Sequence, residues 1–167
     1  MKRSRSTRPV ASSKQRKMLE VLEQFRIVVK AIRSHYQSVE RRAGIGGAQL
    51  WALARVAASP GVNVGALARS LAIHQSTASN LLRQLQQLSL VERRRRGRDQ
   101  RSVQIFITGK GRALLKRSPQ PLIGVLQQAL LDQPHADLSV LHRQLGRLIA
   151  SMKSKDLAAH ATPLSEL

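Results

Sequence analysis

The chain has 167 residues, enough for one domain of ordinary size with tails, and 42% of them are hydrophobic. Against nine Asp and Glu it carries 29 Lys and Arg, a formal net charge of +20. The absence of cysteine excludes disulfides, thiolate metal sites and thiol redox switches. A surface this positive concentrates polyanions, so nucleic acid is the leading partner. Composition leaves an anionic membrane surface and ribosomal RNA open as alternatives.

Neither a membrane span nor a secretory signal is evident from the hydropathy pattern. No apolar run approaches the ~20 residues that a transmembrane helix needs. The start, M-K-R-S-R-S-T-R-P, is basic but has no apolar segment behind it. We therefore expect a cytoplasmic protein. Residues 1–15 are rich in Ser and Arg, which predicts a disordered basic arm.

A long helix is predicted over residues 16–43. Its apolar residues recur at steps of three and four, from Met18 to Val39, and form one continuous stripe. The stripe is longer than one face of a small domain requires, which indicates a partner helix from a second chain. The glycines of R-R-A-G-I-G-G end this helix.

Three shorter helices follow, and the last two have the spacing of a helix-turn-helix. The first runs through Leu50 to Ala57 and is closed by S-P-G-V. Asn63 is placed to cap the next helix, residues 64–72, and a turn of about three residues leads to the last, residues 76–88.

The outward face of that last helix carries short polar groups and one arginine but no acid. Such groups can hydrogen-bond base edges or phosphates without repelling a duplex, although an ordinary solvated helix has the same composition. The candidate DNA-contacting residues on this face are Gln75, Ser76, Ser79, Asn80 and Arg83, with Gln84 beside them.

An arginine-rich run, E-R-R-R-R-G-R-D-Q-R-S, separates two segments that are apolar enough to be strands. Leu90 and Val91 begin the first strand, and Val103, Ile105 and Ile107 alternate on one face of the second. Strand, loop and strand predict a β-hairpin. A helix-turn-helix followed at once by a hairpin is the winged-helix layout, so we expect the arginines to be held out on a wing.

Helices are predicted again beyond the hairpin. Thr108 is placed to cap a helix, and S-P-Q-P at 118–121 predicts a kink or break because proline removes a backbone hydrogen bond. A final apolar stripe runs from Leu138 to Met152, and the last residues lose periodicity and should fray. The predicted divisions are an arm (1–15), an N-terminal dimerisation helix (16–43), a winged helix-turn-helix (44–108), C-terminal dimerisation helices (109–155) and a frayed tail (156–167).

Residues 44–115 resemble the MarR-type winged-helix transcription regulators, the multiple antibiotic resistance regulators. The resemblance rests on V-N-V-G-A-L-A-R-S-L, on S-T-A-S-N-L-L-R-Q-L-Q-Q-L-S-L-V-E-R, and on R-D-Q-R-S-V-Q-I-F-I-T-G-K-G-R-A-L-L, in that order and spacing. It implies a mainly α fold with a small β-hairpin, in which terminal helices make a homodimer and two winged helices read a palindrome.

The resemblance also assigns residues. The recognition-helix residues named above would lie in the major groove, Arg101 would enter the minor groove, and Asp99 would orient an arginine at the wing tip. The wing residues expected to contact DNA are Arg94, Arg95, Arg96, Arg98 and Arg101. Three positions depart from the family pattern: His74 replaces a Ser or Thr cap, Ser89 replaces a frequent glycine, and S-P-Q-P interrupts a usually continuous helix.

The resemblance further implies a small-molecule pocket between the dimerisation helices and the winged helix, with His35, Tyr36, Trp51 and Arg55 as candidates. Ordinary core packing explains Trp51 and Tyr36 equally well.

We expect no catalytic residue, no cofactor and no metal site, because the acids are scattered and the one regular histidine pair, His135 and His142, is two turns apart. The predicted function is a sequence-specific, dimeric DNA-binding regulator that acts as a repressor. The alternative is a nonspecific nucleic-acid packaging or RNA-binding protein.

Overall fold

A computed structural model of the chain describes residues 12–95 and 103–166. These residues form seven α-helices, one two-stranded sheet and two short 3₁₀ helices. None of the described helices is long and apolar enough to cross a bilayer. The elements in chain order are α1 (Ser13–Ala43), α2 (Gly47–Ala58), α3 (Val64–Leu71), α4 (Gln75–Gln87), β1 (Val91–Arg95), β2 (Val103–Ile107), α5 (Gly109–Arg117), α6 (Val125–Leu131), α7 (His135–Ser151), η1 (Leu157–Ala161) and η2 (Leu164–Glu166).

Helix α1 is closed at both ends by local hydrogen bonds. Ser12 and Gln15 make a reciprocal capping box, in which the Ser12 hydroxyl accepts from Gln15 N at 3.2 Å. At the other end Gly44 has a φ of 68°, the left-handed conformation that suits glycine. The helix therefore begins at Ser13, inside the segment 1–15 predicted as a disordered arm. Residues 1–11 lie outside the described residues.

The winged helix is built around the side chains that α2, α3 and α4 direct at one another. Leu53, Leu67 and Leu82 are fully buried, one from each helix. Asn63 caps α3 as predicted, because its Oδ1 accepts from Ala66 N at 2.8 Å. The α3–α4 turn spans residues 72–74, so the helix-turn-helix spacing predicted from the sequence is confirmed.

The predicted hairpin is present, with β1 and β2 antiparallel and Val91 opposite Ile107. Ile105 and Ile107 are buried in the core, as their alternation predicts. The other edge of β2 is also occupied, because Ile105 N donates to Val62 O at 3.1 Å and Ile105 O accepts from Gly61 N at 2.9 Å. The S-P-G-V segment thus anchors the wing to the helix-turn-helix as well as ending α2.

Leu90 links α4, the hairpin and α5. Its N–H donates to Leu85 O at 2.9 Å, and its carbonyl accepts from Thr108 N at 3.1 Å. Thr108 also caps α5, since its hydroxyl oxygen accepts from Gly111 N at 3.0 Å. The preceding Ser89 has a φ of 57°, the left-handed conformation that glycine adopts most readily.

Beyond α5 the chain breaks where the prolines predict. Helix α5 ends at Arg117, and α6 begins only at Val125. Helix α7 buries none of its residues against the described chain. Leu138 is half-buried, but the rest of the α7 apolar stripe, from Leu141 to Met152, is uncovered, as is the N-terminal part of the α1 stripe, with Leu145 36% and Phe25 39% exposed.

The C-terminal tail differs from its prediction. Residues 156–167 were expected to fray, but η1 and η2 fold back onto the winged helix. Ala161 is 6% exposed, and the hydroxyl oxygen of Ser165 accepts from Ala48 N at 3.1 Å. Contacts across more than a hundred residues of sequence fix the tail, and local periodicity carries no sign of them.

We predict that Gly111→Ala lowers the free energy of unfolding by about 1–3 kcal/mol, because a Cβ there forces overpacking. That atom would meet the Leu90 carbonyl oxygen at 2.3 Å and Ile107 Cγ1 at 2.7 Å. Gly109→Ala is the matched control in the same helix, since its Cβ meets nothing within 4 Å. Urea unfolding measures both variants, and equal stability of the two would contradict the packing explanation.

Candidate nucleic-acid interface

Helix α4 presents the candidate recognition residues on the side opposite its buried stripe. Ala78, Leu81, Leu82 and Leu85 are buried in the core. The residues predicted to face DNA are mostly on the outside, with Ser79 alone half-buried. The exposed ones are Gln75, Ser76, Asn80 and Arg83, together with Gln84.

Two of these side chains are already positioned by hydrogen bonds. Arg83 Nη2 donates to Asn80 Oδ1 at 2.8 Å, so the guanidinium lies along the outer face of α4 with its other N–H groups available. Gln84 Oε1 accepts from Gln49 Nε2 at 2.8 Å, which ties the outer side of α4 to the start of α2. The helix offers one oriented cation and several small donors and acceptors.

The electrostatics around α4 favour an anion. Between Glu40 and Glu92 the sequence contains no Asp or Glu, so α2, α3 and α4 carry no negative side chain. His74 is the N-cap of α4 and makes no side-chain capping bond, as its departure from the family pattern suggested. The first N–H groups of α4 are therefore not capped by this side chain, and the positive end of the helix dipole lies there.

The wing brings basic residues to the same part of the chain. Strand β1 extends through Arg93, Arg94 and Arg95. The guanidinium of Arg94 pairs with Glu92 and lies 4.9 Å from the centroid of the Phe106 ring. Arg94 is thus held on the outer face of the hairpin. Predicted wing residues that lie outside the described residues are Arg96, Arg98, Asp99 and Arg101.

The four candidate pocket residues do not line one cavity. Trp51 and Arg55 share a cavity of about 390 Å³ between α2, α6 and the start of α7, whereas Tyr36 lines a separate cavity along α1. Gln127 connects the two, because it lines the first cavity and its Nε2 donates to the Tyr36 hydroxyl at 3.3 Å. Arg55 Nε and Gln127 Oε1 are buried without a hydrogen-bond partner among the described residues.

His35 is a core residue of α1. It is 9% exposed, and its ring lies 5.8 Å from that of Tyr36. Burial lowers the pKa of the His35 imidazole, because desolvation disfavours its charged form. The ring therefore packs in its neutral form at neutral pH, in keeping with a structural role.

Several residues that fix the positions of the helices around the candidate interface were not predicted from the sequence. Gly47 allows α1 and α2 to approach, since a Cβ there would meet the Tyr36 ring at 2.2 Å. Lys110 Nζ donates to Leu88 O at 2.9 Å and so secures the C-terminal end of α4. The quoted segment I-T-G-K-G contains Thr108 and Gly111, the pair that joins α5 to Leu90. For Gly47, the only sequence feature that pointed to a special role was its place in the glycine-rich turn R-R-A-G-I-G-G.

Within the described ranges, no group of three or more His, Cys, Asp or Glu is arranged to hold a metal ion. His135 and His142 both lie on the exposed surface of α7. The geometry thus describes a surface with binding groups: a polar helix, a basic hairpin and a helical body with uncovered apolar faces.

Comparison with known proteins shows what this arrangement is similar to. Residues 43–102 match the sequence model of the MarR family. Among curated protein sequences, none matches the chain. Many solved structures share its fold. A MarR family transcription regulator aligns with a TM-score of 0.56 and 20% identity, over 82% of this chain and 93% of that one.

Two further structures extend the comparison. A MepR-like protein complexed with pseudoligands aligns with a TM-score of 0.55 and 17% identity, over 82% of this chain and 94% of that one. The S. aureus MepR–DNA complex gives a TM-score of 0.55 and 21% identity, over 77% of this chain and 93% of that one. At such identities the likeness shows the fold. Residues 43–102 are thus similar in sequence to the MarR family, and the chain as a whole has the winged-helix fold with terminal helices seen in those structures.

Proposed function

We propose that the protein is a DNA-binding transcription regulator and not an enzyme. The observation that carries the proposal is the exposed outer face of α4, polar and basic, in a segment free of acids from residue 41 to residue 91. A helix of this kind fits the major groove, where Arg83 would donate to guanine and Asn80 to adenine or a phosphate. A MarR-family fold supports this reading.

The wing would supply the contacts that depend least on sequence. Arg94 and Arg95 belong to β1, and the sequence that follows adds Arg96, Arg98 and Arg101. We assign the first four to phosphates and Arg101 to the minor groove, with Asp99 orienting the wing tip. Phosphate contacts position a protein on the duplex, and each one increases the salt dependence of binding.

The working unit would be a homodimer that reads a palindrome. The uncovered stripes of α1 and α7 form apolar surface on the parts of the chain that lie outside the winged helix. Large contiguous apolar patches are rare on monomers and mark interfaces. A second copy would cover them with the same surface in a two-fold arrangement. To read two adjacent half-sites, such a dimer would hold its two copies of α4 about 34 Å apart, one turn of the duplex. A dimer spanning two grooves would exclude RNA polymerase from an overlapping promoter, so we propose repression.

A ligand response is supported by the cavity that Trp51 and Arg55 share. Its lining is mostly apolar, and two of its lining residues have a buried polar atom without a described partner: the donor Arg55 Nε and the acceptor Gln127 Oε1. A few convergent polar groups in an apolar cavity are typical of small-molecule sites. The chemistry fits an aromatic or aliphatic acid whose carboxylate meets the Arg55 guanidinium.

For DNA binding, we expect a duplex selected from random sequence to bind at least about tenfold more tightly than a scrambled one, with affinity falling steeply as salt rises. Arg83→Gln should weaken the selected duplex by about 1–3 kcal/mol and relax its sequence preference. Arg147→Gln on α7 removes the same charge and should change little. Equal binding of both duplexes would favour the nonspecific nucleic-acid protein instead.

For the dimer, we expect Leu145→Asp to raise the dimer dissociation constant at least about tenfold, because a charge at a buried interface is strongly disfavoured. Ala150→Asp introduces the same charge about 140° around the same helix and should leave assembly intact. Sedimentation at a series of concentrations measures both variants. A monomeric wild-type chain, or equal effects of the two substitutions, would refute the assigned interface.

For the ligand response, benzoate and its neutral analogue benzamide test the role of Arg55. The wild-type chain should bind benzoate about tenfold more tightly, a difference of about 1.4 kcal/mol, as a single charge-assisted contact allows. Arg55→Met should abolish that preference, whereas Arg69→Met, which removes an exposed cation of α3, should keep it. Calorimetry gives the constants, and benzoate preference that survives Arg55→Met would place the anion elsewhere.

A further inference from the structure

Residues 157–166, here called the strap, connect two parts of the molecule: the side formed by α1 and α2, and the start of α4. Although most of the strap is polar or small, Ala161 and Pro163 are buried. It forms one wall of a cleft of about 360 Å³ whose other wall belongs to α2, the α3–α4 turn and α4. Residues from both walls face this cleft, among them Trp51, Leu71, Ile73, Leu81, Thr162 and Leu164.

One end of the strap is fixed to α1 and α2. Helix α2 has Gly46 at its N-cap, which offers no side-chain acceptor, and the Ser165 hydroxyl takes that place by accepting from Ala48 N at 3.1 Å. Leu164 and Ser165 also line the cavity along α1 with Ile32 and Tyr36. This end is therefore joined to the long helix whose apolar stripe continues toward the proposed dimer interface.

The other end of the strap lies at the start of the recognition helix. The ring of His160 meets that of His74 edge-on, with centroids 5.8 Å apart and planes at 77°. His160 is itself held by a hydrogen bond from Nδ1 to Leu157 O at 2.8 Å. Since His74 is the N-cap of α4, the strap touches the residue immediately before the DNA-facing positions.

We propose that the strap sets the orientation of the recognition helix relative to α1, and thereby the half-site spacing that the dimer accepts. This inference rests on the proposed function, because spacing matters only to a dimer that reads two half-sites. A link from α1 to the start of α4 restricts how far each winged helix can tilt. If this motion is restricted before binding, a duplex with the matching half-site spacing binds with a smaller loss of conformational entropy. Duplexes with other spacings still require the winged helices to be reoriented, so they bind more weakly.

The docking of the strap can be measured without DNA. Trp51 is the only tryptophan of the chain and lines the strap cleft, so its fluorescence reports whether the strap is in place. A chain ending at Asp156 should show red-shifted emission and at least about twofold greater quenching by acrylamide. Ala161→Asp should do the same in the full chain, because residue 161 is 6% exposed, whereas Leu157→Asp, at a position 65% exposed, should not. Unchanged Trp51 emission in both strap variants would overturn the docking.

The effect on spacing needs duplexes with the selected half-sites moved apart or together by one and two base pairs. The full chain and Leu157→Asp should bind the selected spacing at least about tenfold better than the shifted ones. Ala161→Asp and the shortened chain should lose most of that difference while binding a single half-site as the full chain does. Retained spacing preference in the undocked variants would overturn the inference. Failure of the full chain to prefer any sequence would instead refute the proposed function.

Discussion

The winged helix depends on the way the chain passes through Leu90. The Leu90 N–H donates to the carbonyl oxygen of Leu85 at the end of α4, and β1 begins at the next residue. The Leu90 carbonyl oxygen accepts from Thr108 N, directly after β2. Gly111 lies so close to its carbonyl that no side chain fits between them. Recognition helix, hairpin and α5 are therefore held at one point, and a displacement of any one of them must move the others. The positions of α4 and the hairpin are consequently correlated, as the proposed binding to adjacent grooves requires.

Charge and packing are divided between different parts of the molecule. The helix-turn-helix contains no acid, and its wing begins with a single acid, Glu92, which pairs with Arg94. The helix-turn-helix therefore has no negative side chain that would repel the phosphates of a bound duplex. The terminal helices instead carry long apolar stripes. One surface is suited to a polyanion and the other to a second apolar surface, which is the division of roles that a dimeric DNA-binding protein needs.

Much of this could be predicted because the signals are local. Asn63 and Thr108 act as caps through bonds to residues three positions on, and Ile105 and Ile107 alternate toward the core as strand geometry demands. The outer face of α4 followed from its periodicity. The second edge of β2, the approach of Gly47 to Tyr36 and the docking of the tail depend on partners distant in sequence, so no periodic pattern encodes them. The candidate pocket residues were likewise named without knowledge of their distant neighbours. Trp51 and Arg55 share a wall, but His35 is a core residue.

The uncovered stripes of α1 and α7 have a consequence for how the protein responds to its own concentration. A chain that buries these faces only by pairing couples its folding to its own abundance, so its stability rises with concentration. Occupancy of a two-fold site by such a chain, when most copies are still unpaired, grows with the square of the amount present. A modest change in synthesis or degradation of the protein would then produce a larger change in promoter occupancy. The steepness of that response would originate in two apolar helices outside the winged helix.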